Sequence, residues 1–411
     1  MLRNLFALAA ALMVSVSLLA QPEDEYVRYG GVYHTYKHGS LVDTRAPKGY
    51  KPFYISHIGR HGSRFPVDRK YVTNGLFPLM KADSLGILTD EGKLLLKGFA
   101  ELDSISTGVY GLLCPVGAAE HKGIAERMVR RFPTVFAGRD SVAAVSTHKQ
   151  RCIMSATNFI GELRSEAPGI DVGFVAGENY YDYLCREEMA RPGLHIGSVK
   201  SDAFMAANMS FDDMYARFFT DPDAGRKLFA SDRVLPEKIY ANGAVADYLG
   251  IHYIMRCLTP DEYRVTSVSY NNKMYIQHCN SAEQGEWRTS LMKPLVRDFI
   301  DKADAAMAAD GVAADLRFSH DVGMMPFFSL IGIAGYDKSV TFENAYEVWN
   351  SSVTMPMATN LQMVFYRHPR RPEVLVKILL NEEETSIPAL GPGPYYDWTG
   401  LREYLAKIAS R

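Results

Sequence analysis

Three short apolar segments of the sequence each run directly into charged or imidazole side chains. In chain order, those side chains are Arg60, His61, Arg64, Arg151, His320 and Asp321. Arginine presents a rigid, permanently charged fork to phosphate oxygens, so three arginines can hold a dianion and stabilise the charge of its transition state. The set of residue types therefore suits the transfer of a phosphoryl group.

The same set contains the other groups that such a reaction needs. A neutral histidine nitrogen beside the arginines can attack phosphorus and form a phosphohistidine, which divides one difficult displacement into two easier ones. The nearby cations help to keep that imidazole unprotonated. Asp321 would protonate the leaving alkoxide, which is a poor leaving group as an anion. Because the arginines supply the positive charge, the chemistry requires no metal ion.

The segments that precede these residues have the length and composition of buried strands. The predicted strands are 53–56, 141–146, 316–318, 361–366 and 374–380, of which the last two form a C-terminal hairpin. Helical repeats alternate with them: one follows Thr89, one lies within 117–132 and one follows Arg151. This alternation predicts an α/β fold with an open, mostly parallel sheet flanked by helices. Ligands of such sheets bind beyond the carboxyl ends of the strands, where the six side chains would meet.

Residues 168–294 show a different pattern. Strand signals are sparse there, and methionine, tyrosine, phenylalanine and charged residues recur at helical spacing. We predict a mainly helical cap insertion over 168–294, with residues 21–167 and 295–411 forming the α/β domain. Arg186, Arg191 and Lys200 in the insertion are candidates for additional positive charge around a substrate. No long flexible linker separates the parts, so one compact body is expected.

The segment RHGSRFP at 60–66 resembles the RHGxRxP signature of the histidine acid phosphatases, the second branch of the histidine phosphatase superfamily. His320-Asp321 resembles the HD motif of that family, and Arg151 with Ser155-Ala156 resembles its RxxxSA element. The motifs occur in the family's order, and the similarity extends over most of the chain from about residue 33. The resemblance implies that His61 is the nucleophile and Asp321 the proton donor, and that no metal or other cofactor is used. The residues that it assigns to phosphate binding are Arg60, Arg64, Arg151 and His320.

Within the family, segments 115–121 and 274–279 make the chain most similar to the multiple inositol polyphosphate phosphatases of the phytase group. The resemblance implies a small phosphorylated substrate, inositol hexakisphosphate (phytate) first and sugar phosphates second. That subgroup often has His-Ala-Glu at the donor site, whereas this chain has His320-Asp321-Val322, as in phytases and glucose-1-phosphatases. The position at which a polyphosphate is first cut therefore stays open.

Three other interpretations compete with this one. A phosphotransferase similar to phosphoglycerate mutase shares the RHG core, although the extended RxP and the HD pair argue against it. A non-catalytic protein that binds phosphate or glycans could use the same arginines, but the presence of both a nucleophile and a donor disfavours it. His57 and His61 have the i, i+4 spacing of helical metal ligands, but glycines and a strand flank them, so we predict that the segment is a loop and holds no metal.

The composition indicates the class of protein, and the first twenty residues indicate its destination. The 411 residues are 47% hydrophobic with a net charge of −2, which excludes a disordered chain and gives no basic field for nucleic acid. Arg3 precedes an apolar run over 5–20, which predicts a signal peptide at 1–20. The run is short for an uncleaved anchor. We therefore expect export to the periplasm or medium, with no membrane span in the mature protein. The five cysteines leave at least one thiol free.

Overall fold

The computed structural model of the chain describes residues 25–39, 41, 43–138, 140–185, 194–309 and 311–410. The predicted signal peptide lies outside these ranges, as do Arg186 and Arg191. No helix within the described ranges has both the length and the apolar character needed to cross a bilayer.

Eight strands of the described residues form one mixed sheet with the order β3-β2-β4-β1-β5-β6-β7, and β8 pairs with β6. The strands are β1 Lys51–Arg60, β2 Ser141–Thr147, β3 Asp171–Gly177, β4 Val312–Ser319, β5 Asn360–His368, β6 Arg371–Leu380, β7 Glu383–Glu384 and β8 Tyr395–Asp397. The first four pair in parallel and β5 to β8 pair antiparallel. All five predicted strands are confirmed. The sheet departs from the expected mostly parallel arrangement because the C-terminal strands extend it by hairpins.

The helices lie before, between and after these strands. They are α1 Glu25–Arg28, α2 Arg69–Ser84, α3 Asp90–Ser106, α4 Pro115–Arg131, α5 Gln150–Glu166, α6 Glu178–Leu184, α7 Leu194–Asn208, α8 Phe211–Phe218, α9 Pro222–Arg226, α10 Val234–Tyr248, α11 Pro260–His278, α12 Gly285–Ser290, α13 Lys293–Ala308, α14 Asp321–Ile331, α15 Ala345–Val348, α16 Ser351–Thr354 and α17 Trp398–Ser410.

Helix starts follow local sequence signals. Thr89 caps α3 by accepting a hydrogen bond from the Gly92 amide, as the sequence predicts. At α11, Thr259 and Glu262 form a reciprocal capping box. These contacts satisfy amide groups that the first turn of a helix leaves without partners.

Apolar side chains fill both faces of the sheet. Successive residues of a strand point to opposite faces, so Ile55 of β1 packs with α4 and α5, whereas Tyr54 and Ile58 pack in the other core. That second core continues into the helices between β3 and α13, which supply residues such as Ile239 and Tyr263. The helical segment is therefore continuous in packing with one face of the sheet.

The strand β3 lies inside the range 168–294 that the sequence assigns to the insertion, and it extends the sheet beside β2. The described residues between β3 and α13 are helices and connecting loops. The division of the chain into a catalytic domain and a cap stays a prediction, with the helical part beginning after residue 177.

Candidate active site

The three polar clusters come together at one edge of the sheet. β1, β2 and β4 are neighbours and run in parallel, so their carboxyl ends lie side by side. Arg60 ends β1, Ser319 ends β4, and Arg151 lies in the first turn of α5. The His61 amide donates to the Ser319 carbonyl at 3.0 Å, which joins two of the clusters directly.

His61 is held so that one ring nitrogen stays available. Its Nδ1 lies 2.9 Å from the Gly62 carbonyl oxygen, and because a carbonyl only accepts, Nδ1 carries the proton. Nε2 is therefore the nitrogen with a lone pair. Burial, together with the cations Arg151 and Arg60, holds the pKa of His61 well below its usual value. A neutral imidazole with a free Nε2 is the form that can attack phosphorus.

Arg60 and Asp321 form a buried ion pair at 2.6 Å. The guanidinium is fully buried, and its Nη1 also donates to the carbonyl oxygens of Val32 and Met355. Burial alone would raise the pKa of Asp321, but Arg60 and the Val322 amide outweigh it and lower that pKa below the ordinary value. Without a bound ligand, Asp321 is therefore a carboxylate.

His320 is fixed by partners on both ring nitrogens. The Arg151 guanidinium donates to its Nδ1 at 3.1 Å, so Nε2 carries the proton and donates to Thr147 Oγ1, also at 3.1 Å. Burial and Arg151 hold the pKa of His320 well below its usual value. Its ring lies 5.5 Å from that of His61, centroid to centroid. This neutral imidazole orients Arg151 towards the nucleophile.

Three guanidinium groups at the site keep unused donors. The Nε atoms of Arg60, Arg64 and Arg151 are buried and have no hydrogen-bond partner. A buried donor without a partner costs about 1–3 kcal/mol, and more when it is charged. Of the three residues, Arg64 and Arg151 also line a cavity over the site, where an anion with several oxygens would accept from their guanidinium groups.

Contacts that the sequence analysis did not identify hold the backbone of the motif. Both oxygens of Glu120 accept hydrogen bonds from Ser63, at 2.7 Å from its amide and 2.8 Å from its hydroxyl. The Tyr248 hydroxyl donates to the Arg64 carbonyl at 2.7 Å. The Ala358 amide donates to the His61 carbonyl at 3.0 Å. Their only sequence signal is that Glu120 lies in the segment 115–121, which carries part of the family resemblance.

A cavity of about 520 Å³ opens over the site. His61, Arg64, Arg151, His320 and Asp321 line its inner end. Arg60 is fully buried, and its contact with the site is the ion pair with Asp321. The outer surface of the cavity comes mostly from α2, α6, α7, α10 and α11. A volume of this size admits a small molecule with several substituents.

The other histidines that the sequence raised have different surroundings. His57 belongs to β1 rather than to a loop, and its ring packs against Phe159 and Phe318 at 5.4 and 5.7 Å between centroids. His121 is buried in α4 against Phe318. Among the described residues, no three His, Cys, Asp or Glu side chains are placed to hold a metal ion. The five cysteines, all within the described residues, form no disulfide bond with one another.

The sequence matches no protein-family model and no curated protein. Its fold is similar to solved structures. A multiple inositol polyphosphate phosphatase from Bifidobacterium longum, in complex with inositol hexasulfate, has a TM-score of 0.78 and 20% identity over 92% of this chain and 97% of that chain. The phytase from D. castellii has a TM-score of 0.70 and 14% identity, covering 96% of this chain and 89% of its own. For the Hafnia alvei phytase without ligand the values are 0.57 and 10%, over 89% and 98%. This chain therefore has the α/β fold of the histidine acid phosphatases that its sequence motifs resemble.

Proposed function

We propose that the protein is a phosphomonoesterase that hydrolyses small phosphate esters, inositol polyphosphates such as phytate above all, through a phosphohistidine on His61. The observation that carries the proposal is the free Nε2 of His61 beside Arg64 and Arg151, which line the same cavity and whose Nε atoms have no hydrogen-bond partner. Similarity of fold to phytases and to an inositol polyphosphate phosphatase supports the same substrate class.

In the first step, the phosphate of the ester binds to Arg64 and Arg151 with Arg60 nearby. Nε2 of His61 attacks phosphorus, the N–P bond forms and the bond from phosphorus to the alcohol oxygen breaks. Asp321 gives its proton to that oxygen, so the alcohol leaves neutral. The cations stabilise the charge that accumulates on the phosphoryl oxygens.

In the second step, water attacks the phosphohistidine. Asp321, now a carboxylate, accepts a proton from that water while the P–N bond breaks, and inorganic phosphate is released. His61 returns to its neutral form with the proton still on Nδ1, where Gly62 holds it. The two steps together consume one ester and one water and yield one alcohol and one phosphate.

The pKa of Asp321, the proposed proton donor, should depend on whether a ligand is bound. In the free site Arg60 keeps the pKa of Asp321 below its ordinary value. A dianionic phosphate beside the carboxylate opposes Arg60 and raises that pKa, because a like charge disfavours ionisation. His61 meanwhile stays neutral at acid pH, since its pKa is lowered. Turnover is therefore expected to be fastest below neutrality.

Rapid-quench experiments with a ³²P-labelled ester test the mechanism. We expect an acid-labile phosphoprotein that forms within one turnover in the wild-type protein and is missing in His61→Ala. Full turnover with no trapped label would overturn the phosphohistidine. Far-UV circular dichroism and phosphate binding on His61→Ala show whether the variant is folded.

Sugar phosphates are the second candidate substrates, because His320-Asp321-Val322 is the donor sequence of the glucose-1-phosphatase type. Release of phosphate from phytate, glucose 1-phosphate and 2,3-bisphosphoglycerate across pH ranks the candidates. Binding of these esters without release would instead favour the non-catalytic protein. We also propose export, on the sequence of residues 1–20; N-terminal sequencing of the mature protein tests it.

A further inference from the structure

One side of the cavity has no part in the chemistry proposed above. We call it the lysine–tyrosine wall, and its members are Tyr71 of α2, Glu237 and Lys238 of α10, and Tyr270 and Lys273 of α11. Two of its contacts are alike: Lys238 Nζ lies 4.8 Å from the centre of the Tyr71 ring, and Lys273 Nζ lies 4.9 Å from that of Tyr270. Such contacts hold an ammonium group over an aromatic face.

The two lysines differ in what neutralises them. Lys273 Nζ forms an ion pair with Glu237 Oε1 at 2.7 Å, and Glu237 Oε2 accepts from Arg233 at 2.6 Å. Arg233 also pairs with Asp202. This network therefore contains two cations and two carboxylates, and it contributes no excess charge to the wall.

Lys238 gives the wall its excess positive charge. Within the described part of the chain it forms no ion pair with a carboxylate, and the Tyr71 ring is its close contact. Its side chain is half-buried, and burial lowers the pKa of its ammonium group. A partly desolvated cation that lines a cavity gains most from an anion that enters the cavity with it.

Glu237 favours a hydroxyl group of the ligand, whereas Lys238 favours an anionic group. Each of its oxygens accepts one hydrogen bond, whereas a carboxylate has about four acceptor positions, so acceptor capacity remains. Burial alone would raise its pKa, but Lys273 and Arg233 outweigh burial and lower it, so the group is ionised. An ionised carboxylate in the cavity accepts a hydrogen bond from a hydroxyl and repels a phosphate.

We infer that the lysine–tyrosine wall is a second binding subsite, which takes one further phosphate at Lys238 and one free hydroxyl at Glu237. The inference rests on the proposed function and changes the order of its substrates, because it places partly dephosphorylated inositol phosphates above phytate itself. The preferred ester is a polyol with at least two phosphates and at least one unesterified hydroxyl, such as a partly dephosphorylated inositol phosphate. The fully esterified hexakisphosphate has no hydroxyl to offer Glu237.

Steady-state kinetics on three esters test the two halves of the subsite separately. The esters are inositol 1,4-bisphosphate, inositol hexakisphosphate and p-nitrophenyl phosphate, which has one phosphate and no hydroxyl. The variants are Lys238→Gln, Lys238→Arg and Glu237→Gln. Lys97→Gln is the matched control, because Lys97 also lies over a tyrosine ring, that of Tyr253, but does not line the cavity.

We expect Lys238→Gln to lower kcat/KM about tenfold on the bisphosphate, mainly through KM, and much less on p-nitrophenyl phosphate. Lys238→Arg keeps the positive charge, so it should retain most of the wild-type kcat/KM on the bisphosphate. Glu237→Gln should raise the hexakisphosphate-to-bisphosphate ratio of kcat/KM about threefold or more. Equal losses on all esters in Lys238→Gln, or an unchanged ratio in Glu237→Gln, would overturn the corresponding half of the subsite.

Equilibrium binding separates this inference from the proposed function, because it needs no turnover. Titration calorimetry compares inositol 1,4-bisphosphate with inorganic phosphate on His61→Ala, with and without Lys238→Gln. A tenfold loss for the bisphosphate alone supports the subsite even if the wild-type protein hydrolyses nothing. Equal affinity in both backgrounds overturns the subsite even if the wild-type protein is an active phosphatase.

Discussion

The two ends of the cavity are held in place by different means. At the inner end, backbone and side chains together fix the motif: β1 and β4 carry it, and backbone carbonyl oxygens accept hydrogen bonds from the side chains of His61 and Arg60. At the lysine–tyrosine wall, side chains hold side chains. Substitutions at the inner end should therefore change the rate on every ester, whereas substitutions in the wall should change the ratio between esters.

The largest effect that sharpens this comparison comes from the proton donor. Asp321→Asn should slow release of a poor leaving group such as an inositol alkoxide by about 10²- to 10⁴-fold, the usual contribution of general acid catalysis. p-Nitrophenol leaves readily without a proton, so its release should fall much less. Leaving-group dependence of kcat measures this difference.

Asp321→Asn also leaves Arg60 without its carboxylate partner, so a stability control is needed. Thermal unfolding with and without inorganic phosphate provides it. Equal losses on good and poor leaving groups, in a variant that is as stable as the wild type, would mean that Asp321 is not the acid.

The next largest effect is expected at Arg151, which we propose binds the phosphate of the ester. Arg151→Gln removes one charged donor from the phosphate and also the group that donates to His320 Nδ1. Charged hydrogen bonds contribute about 1.5–3 kcal/mol, so kcat/KM should fall about 10- to 100-fold. The factor should be the same for monophosphates and polyphosphates, unlike that of Lys238→Gln.

Arg130→Gln is the matched control for Arg151→Gln, because Arg130 is an exposed arginine that pairs with Glu126 and Glu166 away from the cavity. Its kcat/KM should equal that of the wild type. A loss in Arg151→Gln confined to polyphosphates would move Arg151 from the reaction centre to substrate selection, and the comparison between the two ends of the cavity would fail.

The same contrast explains how far the sequence could predict the site. The RHG and HD segments follow directly after buried strands, so local patterns were enough to bring Arg60, His61 and His320 together. Glu120 and Tyr248 could not be found in that way, since they reach the motif across 57 and 184 positions of the chain. A contact of that kind depends on tertiary packing and has no periodic signal.

The insertion shows the same limit. The sequence suggested Lys200 for the substrate, but Lys200 forms ion pairs with Glu283 and Glu343 at 3.1 and 3.0 Å. Lys238 and Lys273 are the described lysines that line the cavity. The strand β3 was missed because it is a partly exposed edge strand in which two glycines leave an apolar run of only three residues, 174–176.

A moderate effect concerns acid stability. Burial lowers the pKa of His57 and of His121 from 6.5 to about 3. Below pH 6.5 the unfolded chain therefore binds protons at these two histidines, whereas the folded protein does not. The stability that the two neutral histidines contribute is complete above pH 6.5 and is lost as the pH falls towards 3. At pH 5 each histidine should cost about 2 kcal/mol of the free energy of unfolding.

Denaturant unfolding between pH 7.5 and pH 5, without phosphate, measures this loss together with those of His61 and His320, whose pKa values burial also lowers. His121→Leu should reduce the pH dependence by the contribution of one histidine. A wild-type slope in His121→Leu would show that His121 is protonated in the folded protein.

The smallest effect tests whether the predicted cap takes part in holding the reaction centre. Tyr248 ends α10, the helix that also carries Glu237 and Lys238, yet its hydroxyl donates to the Arg64 carbonyl and accepts from the Arg64 amide at 3.4 Å. Tyr248→Phe removes about 0.5–1.5 kcal/mol of hydrogen bonding. Because Arg64 is proposed to bind the phosphate common to all esters, kcat/KM should fall severalfold by one factor on every ester, as at the inner end. Tyr215→Phe, which removes a buried hydroxyl without a hydrogen-bond partner, is the control. A change in the ratio between esters in Tyr248→Phe would mean that α10 acts on selection alone, and that the backbone of β1 is sufficient to place Arg64.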